Sequence, residues 1–240
     1  AKKHLDEKRY QDVIDICNDI LACDNNSIEA LKLISKSFLA VNKLESARLY
    51  LNKILHIEPN NYEVIKDLGN TYQAVGDLKS AKTYYQKAIL VNNSYAPALT
   101  NLGSIEINTS NKQEALSLLI KATESDPKLA SAWGNLANGY IQLGMSLDAE
   151  RACRKAIDLN PNLFNSNFLL ATILIGQKKI QEAEQPLLKT IELKPDFFQA
   201  YLKLAAVFNE LGKPKEAEET IRKSIDLNPN IFNSHFLLAT

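Results

Sequence analysis

The sequence predicts an all-α fold, a solenoid of antiparallel helix pairs, and three observations predict it. Residue types return at a step of 34. Ala47, Ala81, Ala115, Ala149, Ala183 and Ala217 share one phase; Pro59, Pro127, Pro161, Pro195 and Pro229 share another, which Asn93 breaks once. A period of this length marks stacked supersecondary units rather than one globular core. Within each period, apolar residues recur in two stripes at helical spacing with a turn between them. Finally, Ser35, Gly69, Gly103, Ala137, Ala171, Ala205 and Ala239 hold one small-residue place in the first stripe, as the six alanines do in the second. Larger side chains at these places would hold paired helices apart.

Taken in order, residues 1–27 begin inside a unit, with Tyr10 to Ala22 reading as a second helix whose first helix is mostly missing. Six full units come next, at 28–61, 62–95, 96–129, 130–163, 164–197 and 198–231, and 232–240 starts a further first helix. The run NPNLFNSNFLLAT (160–172) recurs as NPNIFNSHFLLAT (228–240), so the array is expected to continue past Thr240. The unit at 130–163 shows the pattern well. Trp133, Leu136, Tyr140 and Ile141 form the first stripe, Gly144 interrupts, and Ala149, Cys153, Ala156 and Ile157 form the second, closed by Asn160 and Pro161. Asp77 is placed to cap a second helix, Gly212 to end a first helix and Pro214 to open the next, where its missing N–H costs nothing. Pro186 falls in the second turn of its helix. There it should remove the hydrogen bond to the Glu182 carbonyl and bend the helix, at about 3 kcal/mol.

Trp133, Leu136, Ala137, Tyr140, Ala149, Ala156 and Pro161, with Leu68, Gly69, Tyr72, Ala81, Tyr85 and Ala88 in the unit at 62–95, give a pattern that resembles the tetratricopeptide repeat (TPR) family. The resemblance runs in register over essentially the whole chain. It implies a right-handed superhelix with first helices lining a concave groove and second helices outside. It also implies a non-catalytic module or scaffold that takes a peptide or protein partner in that groove. The alternative it raises is the substrate-recruiting arm of a larger enzyme, of glycosyltransferase or sulfotransferase type, whose catalytic domain lies outside these residues.

Composition narrows the field. With 45% apolar residues the chain can bury a long core, and Lys plus Arg equals Asp plus Glu at 28 each, so no global field favours nucleic acid. The densest basic cluster, Lys2, Lys3, Lys8 and Arg9, is interleaved with Asp6 and Glu7 and reads as a solvated helix face. No window approaches the ~18 apolar residues of a membrane span. The amino terminus lacks an apolar signal region, and three scattered cysteines favour a reducing compartment, so a cytoplasmic location without membrane insertion is expected.

Catalysis has little basis in the residues. His4, His56 and His235 fall in different units and none stands at metal-ligand spacing from a Cys or another His. Cys17 and Cys153 share the core phase of Leu51, Tyr85, Leu119, Leu187 and Ile221, so they read as buried structural thiols. No glycine loop for phosphate is present. No cofactor, metal site or catalytic residue is therefore expected.

Binding has more. On the first helices the places left free by the packing stripe are polar in the first half: Lys32, Lys36, Lys66, Asn70, Asn101, Ser104, Asn135 and Asn138. Asparagine can hold the backbone of an extended peptide through its paired donor and acceptor. The alternative, plain solvated residues on an exposed face, stays open. Asn101 and Asn135 resemble the asparagine ladder in the repeats of O-linked N-acetylglucosamine transferases. Lys66, Asn70 and Asn101 match three places of the two-carboxylate clamp of chaperone-binding TPR domains. Ser131 and Asn135 fill its last two places without the charge those places need, which argues against chaperone tails. From Phe164 the groove turns apolar and runs to Phe232, with Phe168, Phe198 and Leu202 as anchors; packing between units is the competing explanation. Self-association, through this strip or through Phe236, Leu237 and Leu238 near Thr240, is a further expectation.

Overall fold

The computed structural model describes residues 2–109 and 111–229, with side chains from Arg9 onward. The described residues form thirteen α-helices and no strand: α1 (Lys2–Cys23), α2 (Ile28–Ala40), α3 (Leu44–Ile57), α4 (Tyr62–Ala74), α5 (Leu78–Val91), α6 (Ala96–Glu106), α7 (Lys112–Ser125), α8 (Ala130–Gln142), α9 (Ser146–Leu159), α10 (Phe164–Gly176), α11 (Ile180–Leu193), α12 (Phe198–Glu210) and α13 (Pro214–Leu227). They fall into two compact units, Ala1–Ile105 and Glu106–Thr240. The truncated run 232–240, with His235, Phe232, Phe236, Leu237 and Leu238, lies outside the described residues, as do the side chains of Lys2, Lys3, His4 and Lys8.

The helix starts carry the sequence period. α2, α4, α6, α8, α10 and α12 begin 34 residues apart, and so do α3, α5, α7, α9, α11 and α13. The turn that ends a first helix is equally regular. Asn42, Gly76, Gly144, Lys178 and Gly212 all have positive φ, and in each case the next residue's N–H reaches back to a carbonyl five residues earlier, as Asp77 does to Tyr72 (3.0 Å) and Lys213 to Phe208 (2.8 Å). This left-handed closure satisfies carbonyls that a helix end would otherwise orphan. Ser110 holds the same register in the remaining unit and lies outside the described residues. Asp77 does cap α5, accepting from the Ser80 N–H at 3.0 Å, and Pro214 is the first residue of α13.

The structure bears on two local expectations, and changes the first. The segment before Tyr10 and the residues after it belong to one helix: α1 runs unbroken for 22 residues from Lys2, because no glycine, proline or turn residue interrupts KKHLDEKRY. α11 runs from Ile180 to Leu193 with Pro186 inside it. The helix is not broken there; one turn on, the Thr190 hydroxyl donates to the Pro186 carbonyl at 2.7 Å.

Each unit has its own core. In the first, Leu31, Leu51, Ile54, Val64 and Leu68 pack together, beside Ile14, Cys17, Ala30 and Ile34. In the second, Leu119, Leu136, Cys153, Leu170, Leu174, Leu187 and Leu204 belong to one continuous cluster. Each buried Leu or Ile contributes about 1.5–3 kcal/mol relative to exposure. All six alanines of the second-helix phase are buried, and so are all six residues of the Leu51–Ile221 phase. Gly69 shows why the facing place is small. A Cβ there would lie 2.5 Å from Cε1 of the fully buried Tyr85.

A polar residue at a packing place also finds its reason. Trp133 Nε1, Asn167 Nδ2 and Tyr201 Oη each donate to the carbonyl of the proline six residues earlier, Pro127 at 3.0 Å, Pro161 at 3.2 Å and Pro195 at 3.0 Å. Asn167 adds a bond to the Leu163 carbonyl at 3.0 Å, which lets an amide sit almost fully buried among apolar neighbours.

Candidate functional site

On the first helices of the first unit, the polar face is partly engaged with itself. Tyr85 is fully buried, so its hydroxyl must find partners, and it reaches Asn70 Oδ1 (2.9 Å) and Gln73 Oε1 (2.6 Å) across the helix pair. Asn101 Nδ2 donates to the same Asn70 oxygen at 2.8 Å. Burial pushes the Tyr85 hydroxyl up to about 12, so it remains a neutral donor over the working pH range. Asn70 thus joins two helices before any ligand arrives. Lys66 Nζ meets Asp67 Oδ1 at 2.5 Å, which partly neutralises the charge that would receive a peptide carboxylate. Lys32, half-buried, and Lys36, exposed, lie on α2 without an acidic partner among the described residues.

The second unit offers more open chemistry. Between α8 and α10 lies a pocket of about 330 Å³, walled by Leu163, Phe168 and Leu169 on its apolar side and by Ser131, Asn135, Asn138, Asn165 and Ser166 on its polar side. Gly134 makes room for it: at the place where the other first helices carry Lys32, Lys66, Thr100, Phe168 and Leu202, a Cβ would stand 2.8 Å from Ser166 Oγ. Asn135 spends its amide N–H on the Ser131 carbonyl at 3.0 Å, leaving Oδ1 to accept. The Asn138 amide and the Ser166 hydroxyl make no hydrogen bond among the described residues, although Ser166 is only 3% exposed. Neither group counts among the buried polar atoms that lack a partner, so both face accessible space in the pocket and are open to water or to a ligand.

Aromatic rings continue the site. Phe197 packs edge-on against Phe164 (centroids 5.7 Å) and Phe168 (4.9 Å). Lys203 Nζ stands 5.6 Å from the Phe168 ring centroid, and Lys194 stands 4.9 Å from that of Phe164. Phe198 and Leu202 on α12 are half-buried, neither free anchors nor closed core.

Of the residues expected from sequence, Asn135, Asn138 and Phe168 converge on one pocket; Asn70 and Asn101 meet in an internal network; Lys32, Lys36 and Lys66 stand apart from both. Sequence reasoning did not weigh Gly134, Asn165, Ser166 or Lys203 as site residues. A glycine in the register of Lys66 and Phe168 was the available signal for the first, and a lysine in the register of Asn101 and Asn135 for the last.

Cys17 and Cys153 are buried and Cys23 is exposed, with burial pushing the Cys153 thiol up to about 12, away from the reactive thiolate. No group of three His, Cys, Asp or Glu placed to hold a metal ion occurs among the described residues, and no helix among them is long and apolar enough to cross a membrane.

Twelve of the thirteen described helices in a 34-residue rhythm, left-handed turns at one register and small residues at the helix contacts define a tetratricopeptide-repeat protein. Residues 45–240 match the family described as the cilia and flagella-associated protein 70 C-terminal domain, and the chain belongs to that family. No curated protein gives a match. Among solved structures, the chain is similar to PilF of Pseudomonas aeruginosa, with a TM-score of 0.80 at 19% identity over 90% of this chain and 98% of that one. It is also similar to the Cut9–Hcn1 hetero-tetramer of the APC/C, with 0.83 at 17% identity over 98% of this chain and 47% of that one. YrrB, described as a TPR protein with an unusual peptide-binding site, gives 0.62 at 19% identity over 79% and 98%. At these identities the likeness is one of fold.

Proposed function

We propose that the chain is a non-catalytic interaction module that binds an extended segment of a protein partner along the exposed face of its first helices, with the α8–α10 pocket as the principal subsite. The observation that carries this reading is the pocket's lining: an apolar wall opposite amide and hydroxyl groups, two of which, Asn138 and Ser166, lack intramolecular partners. Such a surface suits a peptide, whose backbone supplies donors and acceptors and whose side chains supply apolar area. Phe168, Phe198 and Leu202 extend the apolar contact, and Lys32 and Lys36 give the first unit a positive edge. The six-unit division and continuous array belong to this proposal, as does self-association through the apolar strip. The neutral α8 and α10 provide no cationic track for nucleic acid.

The test is a binding measurement with a captured partner segment. Asn138→Ala and Leu202→Ala should weaken binding at least threefold while leaving the thermal midpoint within about 2 °C. Unchanged affinity for both variants would remove the pocket from the account. The reading as an enzyme's recruiting arm rests on family resemblance alone.

A further inference from the structure

The charge pattern around the pocket specifies its occupant. α8 and α10 contain no acidic or basic residue, and α12 contains two, Lys203 and Glu210, the latter at the helix end. On or beside α9, α11 and α13, by contrast, several cations meet carboxylates: Arg154 with Glu150 (2.8 Å) and Glu182 (3.2 Å), Lys213 with Glu184 (2.9 Å), Arg222 with Glu218 (2.6 Å). Lys203 has no carboxylate partner among the described residues. It is half-buried, and that burial lowers its pKa, so the ammonium is partly stripped of water and stands beside the Phe168 ring. A cation–π contact of this kind recovers about 0.5–2 kcal/mol. A desolvated ammonium with no counter-ion interacts with an incoming carboxylate more strongly than a fully solvated lysine does, because fewer waters must be displaced and a partly buried site screens less than bulk water.

Phe168 links the two features, since one ring both walls the pocket and stands beside Lys203. We propose that the α8–α10 pocket receives one uncharged side chain of an extended peptide while an Asp or Glu close by in the same peptide pairs with Lys203. The partner is therefore an acidic segment bearing a large uncharged residue. The pocket takes the uncharged group because Ser131, Asn135, Asn138, Asn165 and Ser166 offer neutral donors and acceptors with no ion to compensate a buried charge. Its volume of about 330 Å³ admits one side chain with its backbone and not a folded element. The carboxylate then lies across the Phe168 ring from that group, and its charge decides which segments bind. This inference rests on the peptide-binding reading above and adds the identity of the residues recognised.

The experiment selects a random dodecapeptide phage library on the whole 240-residue chain and in parallel on Lys203→Gln and Asn138→Ala. On the unaltered chain the enriched peptides should carry an Asp or Glu within about three residues of a large uncharged residue. The same synthetic peptides should bind Lys203→Gln about tenfold more weakly, the order of one charge-assisted hydrogen bond. Selection on Lys203→Gln should lose the acidic bias yet still yield peptides with the large residue. Enrichment without acidic bias, or a bias that survives Lys203→Gln, overturns the assignment to Lys203 and leaves groove binding standing. Peptides that bind Asn138→Ala and the unaltered chain alike, or no enrichment at all, count instead against the groove itself. Circular dichroism of both variants, expected to match the parent, separates these outcomes from misfolding.

Discussion

Gly69→Ala is the sharpest test of the packing account, because helix propensity and tertiary packing pull in opposite directions. In an exposed helix this change stabilises by about 1 kcal/mol. Here the new Cβ would lie 2.5 Å from Cε1, 2.8 Å from Cδ1 and 3.2 Å from Cζ of Tyr85. The ring cannot swing aside cheaply: it is fully buried, and its hydroxyl is tied to Asn70 at 2.9 Å and Gln73 at 2.6 Å. Overpacking costs about 1–3 kcal/mol, and stretching or losing one of those bonds adds about 1 kcal/mol. After subtracting the propensity gain, Gly69→Ala should destabilise by about 1–3 kcal/mol. Tyr85→Leu supplies the control, since Ala171 already shares the register of Gly69 in the unit where Leu187 replaces the tyrosine. In the Leu background the Gly69→Ala penalty should vanish or reverse, giving a coupling of about 2 kcal/mol in a double-mutant cycle. Urea unfolding followed by circular dichroism reads all four proteins. Additive changes, or a Gly69→Ala protein as stable as the parent, would falsify the steric explanation of the small-residue phase.

Three further outcomes are expected at particular groups. Glu150 accepts from Arg154 (2.8 Å) and Lys179 (3.0 Å), and these bonds hold its pKa at about 2, below the ordinary 4.5. Its contribution is complete above pH about 4.5 and drains as pH falls toward about 2, so Glu150→Gln should cost about 1–2 kcal/mol at pH 7 and flatten the acid limb of stability against pH. An acid limb identical to the parent's would contradict this. Lys178 holds a left-handed conformation at φ 63°, so Lys178→Gly should raise stability by about 0.5–1 kcal/mol, the relief of strain less the added chain entropy of glycine, and a lower urea midpoint would refute it. With a disulfide reagent at pH 8, Cys23 should react at once while Cys17 and Cys153 wait for unfolding; three fast thiols would mean the Leu51 phase is not the core.

Much of the fold was legible because repetition reads the same rule several times. One alanine is an accident, but six at a fixed step fix a helix contact, and their burial is the consequence. Interactions between places of different register were not legible in the repeat. Tyr85 was readable as buried, yet its hydroxyl's reach to Asn70, and through it to Asn101, turns two expected ligand contacts into an internal bracket. Asn167 stood out as polar at a packing place, and only the Pro161 carbonyl explains it. The pocket itself depends on an absence, the missing side chain of Gly134, and periodic reasoning weighs what residues share more readily than what one of them lacks. The start of α1 differs for a related reason: the 34-residue step began the helix at Tyr10, whereas the local propensity of the preceding segment is wholly helical.

The pocket between α8 and α10 is where the account is most exposed. A backbone amide NMR titration of the 240-residue chain with a selected acidic peptide tests it most directly. Shifts should concentrate at Ser131, Asn135, Asn138, Asn165, Ser166, Phe168 and Lys203, with α9 and α11 quiet. Shifts centred on α9, α11 or α13, with those seven residues unmoved, would contradict the central claim.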